Sequence, residues 1–178
     1  MKRLAAIAAA MMLSACTPLL VQQAGAPPAG FSGPRMEGDA FVSFDGARLG
    51  LTRWEAAGQP RAVVVALHGM NDYANAFHLA APHWAQSGVT TYAIDQRGFG
   101  RSPNRGVWGG DELMAEDLRT LTAVARIRHP GVPVIVAGES MGGAVAIKAF
   151  ASDRPPAADR VILMAPAVWG WANQPLPY

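Results

Sequence analysis

Residues 62–67 read Ala-Val-Val-Val-Ala-Leu, a run with no polar position and three β-branched residues at its centre. A strand built from them has no face to give to water, so it belongs inside a sheet covered on both sides. Comparable apolar strands are expected at 89–94, 133–137 and 161–164. The stretches between them change period. Residues 74–86 have helical character and end at Gly88. Residues 111–128 set Met114, Leu118, Leu121 and Ala125 at helical spacing, with Asp111 as the expected cap and His129-Pro130-Gly131 as the stop. A third helix is expected over 141–151. Upstream, 40–44 and 49–54 flank Asp45-Gly46, a hairpin-type turn signal. Six strands alternating with helices imply an α/β fold: a mostly parallel sheet with helices on both faces and right-handed crossovers.

The chain has 178 residues, 51% hydrophobic and only 16% charged, which excludes an intrinsically disordered chain, a coiled coil and a collagen-like repeat. Its formal charge is +2, and Lys2 and Arg3 supply all of it. Beyond position 15, 13 basic residues face 13 acidic ones. A nucleic-acid binder would carry a basic stripe through its folded part, so no nucleic-acid partner is expected. The longest apolar run, residues 4–13, is too short for a hydrocarbon core about 30 Å thick, and no transmembrane helix is expected.

The N-terminus has the layout of a secretory signal peptide: Met1-Lys2-Arg3, the apolar run, then the small residues Ser14-Ala15. The boundary falls at the single cysteine. Leu13-Ser14-Ala15-Cys16 resembles the lipobox of bacterial lipoproteins, in which the chain is cut before the cysteine and the cysteine is acylated. Cys16 could instead be a small buried apolar group in an ordinary exported chain, since a lone cysteine makes no internal disulfide. Position, spacing and n-region together favour lipidation. Thr17 follows, and the aspartate associated with inner-membrane retention is absent, which points to the outer membrane and its periplasmic face. Residues 17–38, rich in Pro, Gly and Ala, read as a flexible tether spanning about 25 Å as a random coil. The expected organisation is a signal peptide over 1–15, a lipidated Cys16 and tether over 16–38, and one domain over 39–178.

The chemical signal is Gly138-Glu139-Ser140-Met141-Gly142, a G-x-S-x-G. The pattern alone is a modest signal, but here a strand runs into it and a helix leaves it. That is the order a nucleophile elbow needs to raise a serine hydroxyl above a sheet. Gly138 and Gly142 fit there because strand and helix cross too closely for side chains. Ser140 also stands at a helix N-terminus, where main-chain N–H groups favour negative charge. A second signal is independent of the first: residues 63–67 end in His68-Gly69-Met70, where such folds place the other half of an oxyanion hole. The N–H groups of Met70 and Met141 are the candidate oxyanion donors. Their side chains read as apolar pocket lining.

At this point the sequence resembles the alpha/beta-hydrolase superfamily, and within it the monoacylglycerol lipase and lysophospholipase group, also classed with the serine aminopeptidases. His68-Gly69-Met70-Asn71-Asp72-Tyr73 looks like that group's oxyanion segment. Residues 92–102, Tyr-Ala-Ile-Asp-Gln-Arg-Gly-Phe-Gly-Arg-Ser, look like its D-x-R-G-x-G-x-S loop. Residues 138–143 match its G-x-S-M-G-G elbow, and Leu163-Met164-Ala165-Pro166-Ala167 its following strand and turn. The resemblance implies an alpha/beta-hydrolase fold, an acyl-enzyme mechanism on ester or lipid substrates with Ser140 as nucleophile, and no cofactor. A serine at the elbow disfavours the branches that use aspartate there. Asp95 and Arg97 read as loop-pinning residues, and His68 resembles a position that shapes the oxyanion loop. His78, His83 and His129 read as surface or packing groups. No Cys/His cluster has metal-ligand spacing, so no metal is expected.

In this fold the catalytic order is serine, then an acid, then histidine. After Ser140 the sequence has only Asp153 and Asp159 as acids and no histidine. Trp169-Gly170-Trp171-Ala172-Asn173 resembles the start of the family's cap, placing the cap near 168. The expectation is therefore the N-terminal part of a hydrolase, truncated after about six of eight strands, with residues 161–164 an exposed edge and with negligible activity by itself. A non-catalytic lipoprotein that keeps the scaffold for binding or envelope structure is the other reading the residues allow.

Overall fold

The computed structural model describes residues 20–168. The expected export signal, Cys16 and the expected cap from 169 onward lie outside the described residues.

Seven strands form one sheet: β1 (Arg35–Glu37), β2 (Ala40–Val42), β3 (Arg48–Trp54), β4 (Ala62–Leu67), β5 (Val89–Ile94), β6 (Val134–Glu139) and β7 (Arg160–Met164). Their order is β1-β2-β3-β5-β4-β6-β7. β1, β2 and β3 pair antiparallel, as do β3 and β5, while β5, β4, β6 and β7 run parallel. The helices are α1 (Ala80–Gln86), α2 (Asp111–Arg128) and α3 (Met141–Phe150), with a 3-10 turn at Ala74–Phe77.

β4 sits at the centre, and its alternating side chains enter two cores. Val63, Val65 and Leu67 pack with Leu118, Leu121 and Val145 of α2 and α3. Val64 and Ala66 pack on the opposite face with Ala74, Phe77 and Ala81. Five of the six β4 residues are buried, which is why the run tolerates no polar position.

Four expectations need correction. First, the sheet has seven strands, because Arg35–Glu37 pairs with Ala40–Val42 across a two-residue turn. Second, the described part of the expected tether is docked on the domain. Val21 bridges to Trp108, and the Gly25 N–H donates to Asp45 Oδ2 at 3.1 Å. A Pro/Gly-rich sequence excludes helix but not an extended segment held by such bonds. Third, residues 74–86 divide into a 3-10 turn and α1. Pro82 removes one helical N–H and its ring would strike the carbonyl four residues back, so it fits only a first turn. Fourth, Asp111 is the first residue of α2, and Gly110 (φ 77°) takes the cap position. Asp111 and Glu112 thus support the helix by charge near its N-terminus, with no side-chain cap bond.

β7 is paired on one side only among the described residues. Val161, Ile162 and Leu163 are 39%, 49% and 40% exposed, so the apolar edge expected from the strand order is present.

Candidate active site

Ser140 joins the end of β6 to the start of α3 with φ 49° and ψ −112°, a conformation costly for any residue with a Cβ. Three hydrogen bonds hold its main chain there. Its N–H donates to the Met164 carbonyl at 2.9 Å, and its carbonyl accepts the N–H groups of Ala144 at 3.1 Å and Ala167 at 2.9 Å. The turn after β7 therefore braces the elbow. The close crossing expected at the two glycines is present. A Cβ on Gly138 would lie 2.7 Å from the Gly142 carbonyl carbon, and one on Gly142 2.6 Å from that of Leu67. Ser140 is half-buried, with buried Gly138 on one side of it in the chain and exposed Glu139 between them.

The end of β4 faces this bend. A Cβ placed on Gly69 would lie 3.4 Å from the Ser140 Cβ, so the His68-Gly69-Met70 segment passes directly beside the serine. Met141 opens α3, and its N–H has no intrahelical acceptor. The Met70 N–H donates to no acceptor among the described residues. Met141 thus adjoins Ser140 along the chain, and Gly69, the residue before Met70, passes beside it. The methionine side chains differ. Met70 is 53% exposed and lines a cavity of about 210 Å³ with Asn71, Gly98, Phe99, Gly106, Val107 and Trp108. Met141 is buried in the core between sheet and helices, not in the pocket lining expected of it.

His68 is fully buried and both ring nitrogens are occupied. The Gln96 N–H donates to Nε2 at 2.9 Å, which makes Nε2 the acceptor, so Nδ1 carries the proton and donates to the Gly69 carbonyl at 2.7 Å. Gln96 Nε2 donates to the His68 carbonyl at 2.8 Å, and Phe99 packs edge-on against the ring. Burial lowers the His68 pKa from its ordinary value, against opposing effects of the Gly69 carbonyl and the charges of Asp95, Asp72 and Glu139. His68 is a neutral strut of the oxyanion segment, as the sequence suggested.

Asp95 and Arg97 pin the glycine-rich loop. Asp95 Oδ1 accepts the Ala74 N–H at 2.8 Å, and Oδ2 accepts Arg101 N–H at 2.8 Å and Nε at 2.9 Å. Arg97 donates through Nε to Asp117 Oδ2 at 2.6 Å, and through Nη2 to Asp117 Oδ1 and Asp45 Oδ1, each at 2.8 Å. Burial alone would lower the arginine's pKa, but its hydrogen bonds to Asp117 and Asp45 raise it, so it stays charged inside the protein.

Neither late acid stands near Ser140. Asp159 accepts the N–H of Val134 at 2.7 Å, at the start of β6, whereas Ser140 follows its end. Six strand residues separate those ends by about 20 Å. Asp153 is exposed beyond the far end of α3. Among the described residues, no imidazole lies within hydrogen-bond reach of the Ser140 hydroxyl; His129 and His78 bond elsewhere, to Tyr92 and to the Asn75 carbonyl. No cluster of three metal-ligating side chains occurs among the described residues.

One residue that holds a wall of the cavity beside Met70 had no signal in the sequence. Gln22, in the presumed tether, bonds the Val107–Trp108 loop through main-chain carbonyls, and a carbonyl leaves no trace in residue identity.

A parallel sheet with an antiparallel N-terminal edge, crossed at the end of β6 by a strained serine elbow, defines an alpha/beta hydrolase. The chain belongs to the family described as serine aminopeptidase, S33, whose model matches residues 58–178. It is 36% identical over 130 residues to a monoacylglycerol lipase of Mycolicibacterium smegmatis, covering 72% of this chain and 46% of that protein. It is 28% identical over 129 residues to human monoglyceride lipase, covering 72% of this chain and 42% of that one. A solved carboxyl esterase of Bacillus coagulans superposes with a TM-score of 0.59 at 26% identity, over 70% of this chain and 42% of the esterase. The chain spans less than half the length of these relatives.

Proposed function

We propose that Ser140 is the nucleophile of a carboxylic-ester hydrolase acting through an acyl-enzyme, with monoacylglycerols or lysophospholipids as the substrate class. The observation that carries this reading is the strained Ser140 main chain at the tip of β6, with the Ser140 Cβ 3.4 Å from a β-carbon position on Gly69. In this reading the hydroxyl oxygen attacks the ester carbonyl, and the Met70 and Met141 N–H groups stabilise the resulting oxyanion. Collapse expels the alcohol and leaves an acyl group on Ser140, which water then removes. The names of the relatives support a lipid ester in place of a peptide.

Attack requires a base for the hydroxyl proton. The 178 residues contain no histidine after position 140, so this polypeptide by itself turns over esters negligibly. Loss of a triad histidine costs a factor of about 10⁶ in a well-studied serine protease. The protein is further proposed to be anchored in the cell envelope through lipid on Cys16, supported by the export signal and lipobox-like residues. Labelled palmitate incorporated by the wild type and not by Cys16→Ser tests that anchor.

The nucleophile is tested by exposing the chain to p-nitrophenyl butyrate with and without imidazole as an external base. One butyryl group gained only with imidazole, located on Ser140 and absent from Ser140→Ala, is the expected result. Acylation unchanged in Ser140→Ala overturns the reading. Rapid Ser140-dependent turnover without imidazole overturns the proposed inactivity while retaining the nucleophile.

A further inference from the structure

The N-terminal segment is tied to the wall of the cavity beside Met70. Gln22 is 8% exposed, and its polar groups are engaged by one loop. Its N–H donates to the Trp108 carbonyl at 2.8 Å, and its Nε2 donates to the Val107 carbonyl at 2.7 Å. Its Oε1 accepts Asn104 Nδ2 at 3.2 Å. The loop has few other main-chain anchors: the Gly106 N–H donates to the Gly98 carbonyl at 2.8 Å, and the Val107 N–H to Asn104 within the loop itself. The fit on the inner side is close. Gly98 has φ 84°, and a Cβ there would collide with the Val107 carbonyl and lie 3.3 Å from Gln22 Nε2.

Val107, Trp108 and Gly98 form one wall of the 210 Å³ cavity, and Met70 and Asn71 form another. Met70 carries a proposed oxyanion N–H, and its neighbour Gly69 passes beside Ser140. The loop held by Gln22 therefore shapes the space next to the reacting centre.

We infer that Gln22 is a positioning residue for the substrate's acyl chain: by holding the carbonyls of Val107 and Trp108 it sets the cavity wall opposite Met70. The ligand class rests on the ester-hydrolase reading above. The physical claim is that a side chain outside the sheet and helices fixes the width of this cavity. Removing its side-chain amide leaves the part-buried Val107 carbonyl and Asn104 Nδ2 without their partner, while the main-chain bond to the Trp108 carbonyl stays, and the wall moves to regain hydrogen bonds.

The test uses the full chain labelled with 5-fluorotryptophan, the Trp108 resonance being identified by its loss in Trp108→Phe. Titration with monomeric 1-decanoylglycerol shifts that resonance saturably in the wild type. Gln22→Ala weakens binding at least tenfold and speeds amide exchange over 104–108, while exchange in α2 is unchanged. Gln22→Glu, which keeps an acceptor for Asn104 but loses the donor to Val107, falls between them with its fold intact. Binding within twofold of wild type in both variants overturns the positioning role and leaves the ester-hydrolase reading standing. No saturable shift in the wild type overturns the acyl-site reading of the cavity, and the ligand assignment with it. Unchanged exchange over 104–108 in both variants overturns the claim that Gln22 holds the wall.

Discussion

Gly142 lies so close to Leu67 that a β-carbon on it would sit 2.6 Å from the Leu67 carbonyl carbon and 2.7 Å from the Leu67 Cβ. The helix behind Ser140 thus rests directly on the strand that leads to His68-Gly69-Met70. Gly142→Ala forces them apart. Overpacking of this kind costs about 1–3 kcal/mol, read as a lower midpoint in urea unfolding. A midpoint equal to wild type would show that the contact has slack.

Ser140 holds an unfavourable main-chain conformation, so its proposed role and stability conflict at this residue. Ser140→Gly relieves the strain and is expected to raise stability by about 1–2 kcal/mol while abolishing imidazole-dependent acylation. Ser140→Ala keeps the Cβ, hence the strain, and is expected to leave the midpoint near wild type. Comparing the two variants by chemical denaturation separates backbone strain from the loss of the hydroxyl.

Arg97 joins Asp45 and Asp117 in a buried ion network, with all three side chains 3% exposed or less. Arg97→Ala leaves two carboxylates without their partner. Breaking a buried pair from one side costs about 3–5 kcal/mol. The paired replacement of Arg97 and Asp117 by apolar residues is expected to cost less than Arg97→Ala alone. A double-mutant cycle on urea midpoints measures the difference.

The fold was legible in the sequence wherever hydrophobic period and local chemistry agreed. The run at 62–67 specified a doubly covered strand, and the strand-turn-helix context of residues 138–142 placed the elbow before any coordinates. The approach of residues 68–70 to the elbow was legible for the same reason, because His68-Gly69-Met70 stands at the end of the neighbouring strand. What escaped was carried by main-chain partners. The docking of Val21 and Gln22 depends on carbonyls of Val107 and Trp108, and the first strand is three residues long with no apolar alternation to announce it. The cap of α2 was misassigned because an aspartate beside a glycine fits two adjacent positions equally well.

Burial holds the folded-state pKa of His68 below its ordinary 6.5. The unfolded chain therefore takes up a proton that the folded protein refuses, and this contribution to stability is complete above about pH 6.5 and declines as pH falls below it. The His68 Hε1 resonance is expected to titrate with a midpoint below 6.5, and the urea midpoint to fall on going from about pH 7.5 to about pH 5.5. A His68 titration at or above 6.5 contradicts the buried, neutral, Nδ1-protonated imidazole described here.

The outer edge of β7 exposes Val161, Ile162 and Leu163. Exposed apolar edges pair with other chains, and a lysine on the edge suppresses that pairing. Ile162→Lys is expected to slow concentration-dependent aggregation of the chain, measured by light scattering, while changing the urea midpoint by no more than about 0.5 kcal/mol. Equal aggregation rates would locate the sticky surface elsewhere.

Because the chain is fastened to the domain from Val21 onward, only five peptide links separate Cys16 from its first anchorage. Whatever path those links take, they reach at most about 18 Å. If acyl chains on Cys16 enter a bilayer, the leash is too short for the domain to roam, and the face bearing Trp108 is kept beside the lipid headgroups. On the proposed ester-hydrolase reading, a lipid ester leaving the membrane would then have little water to cross before meeting Met70.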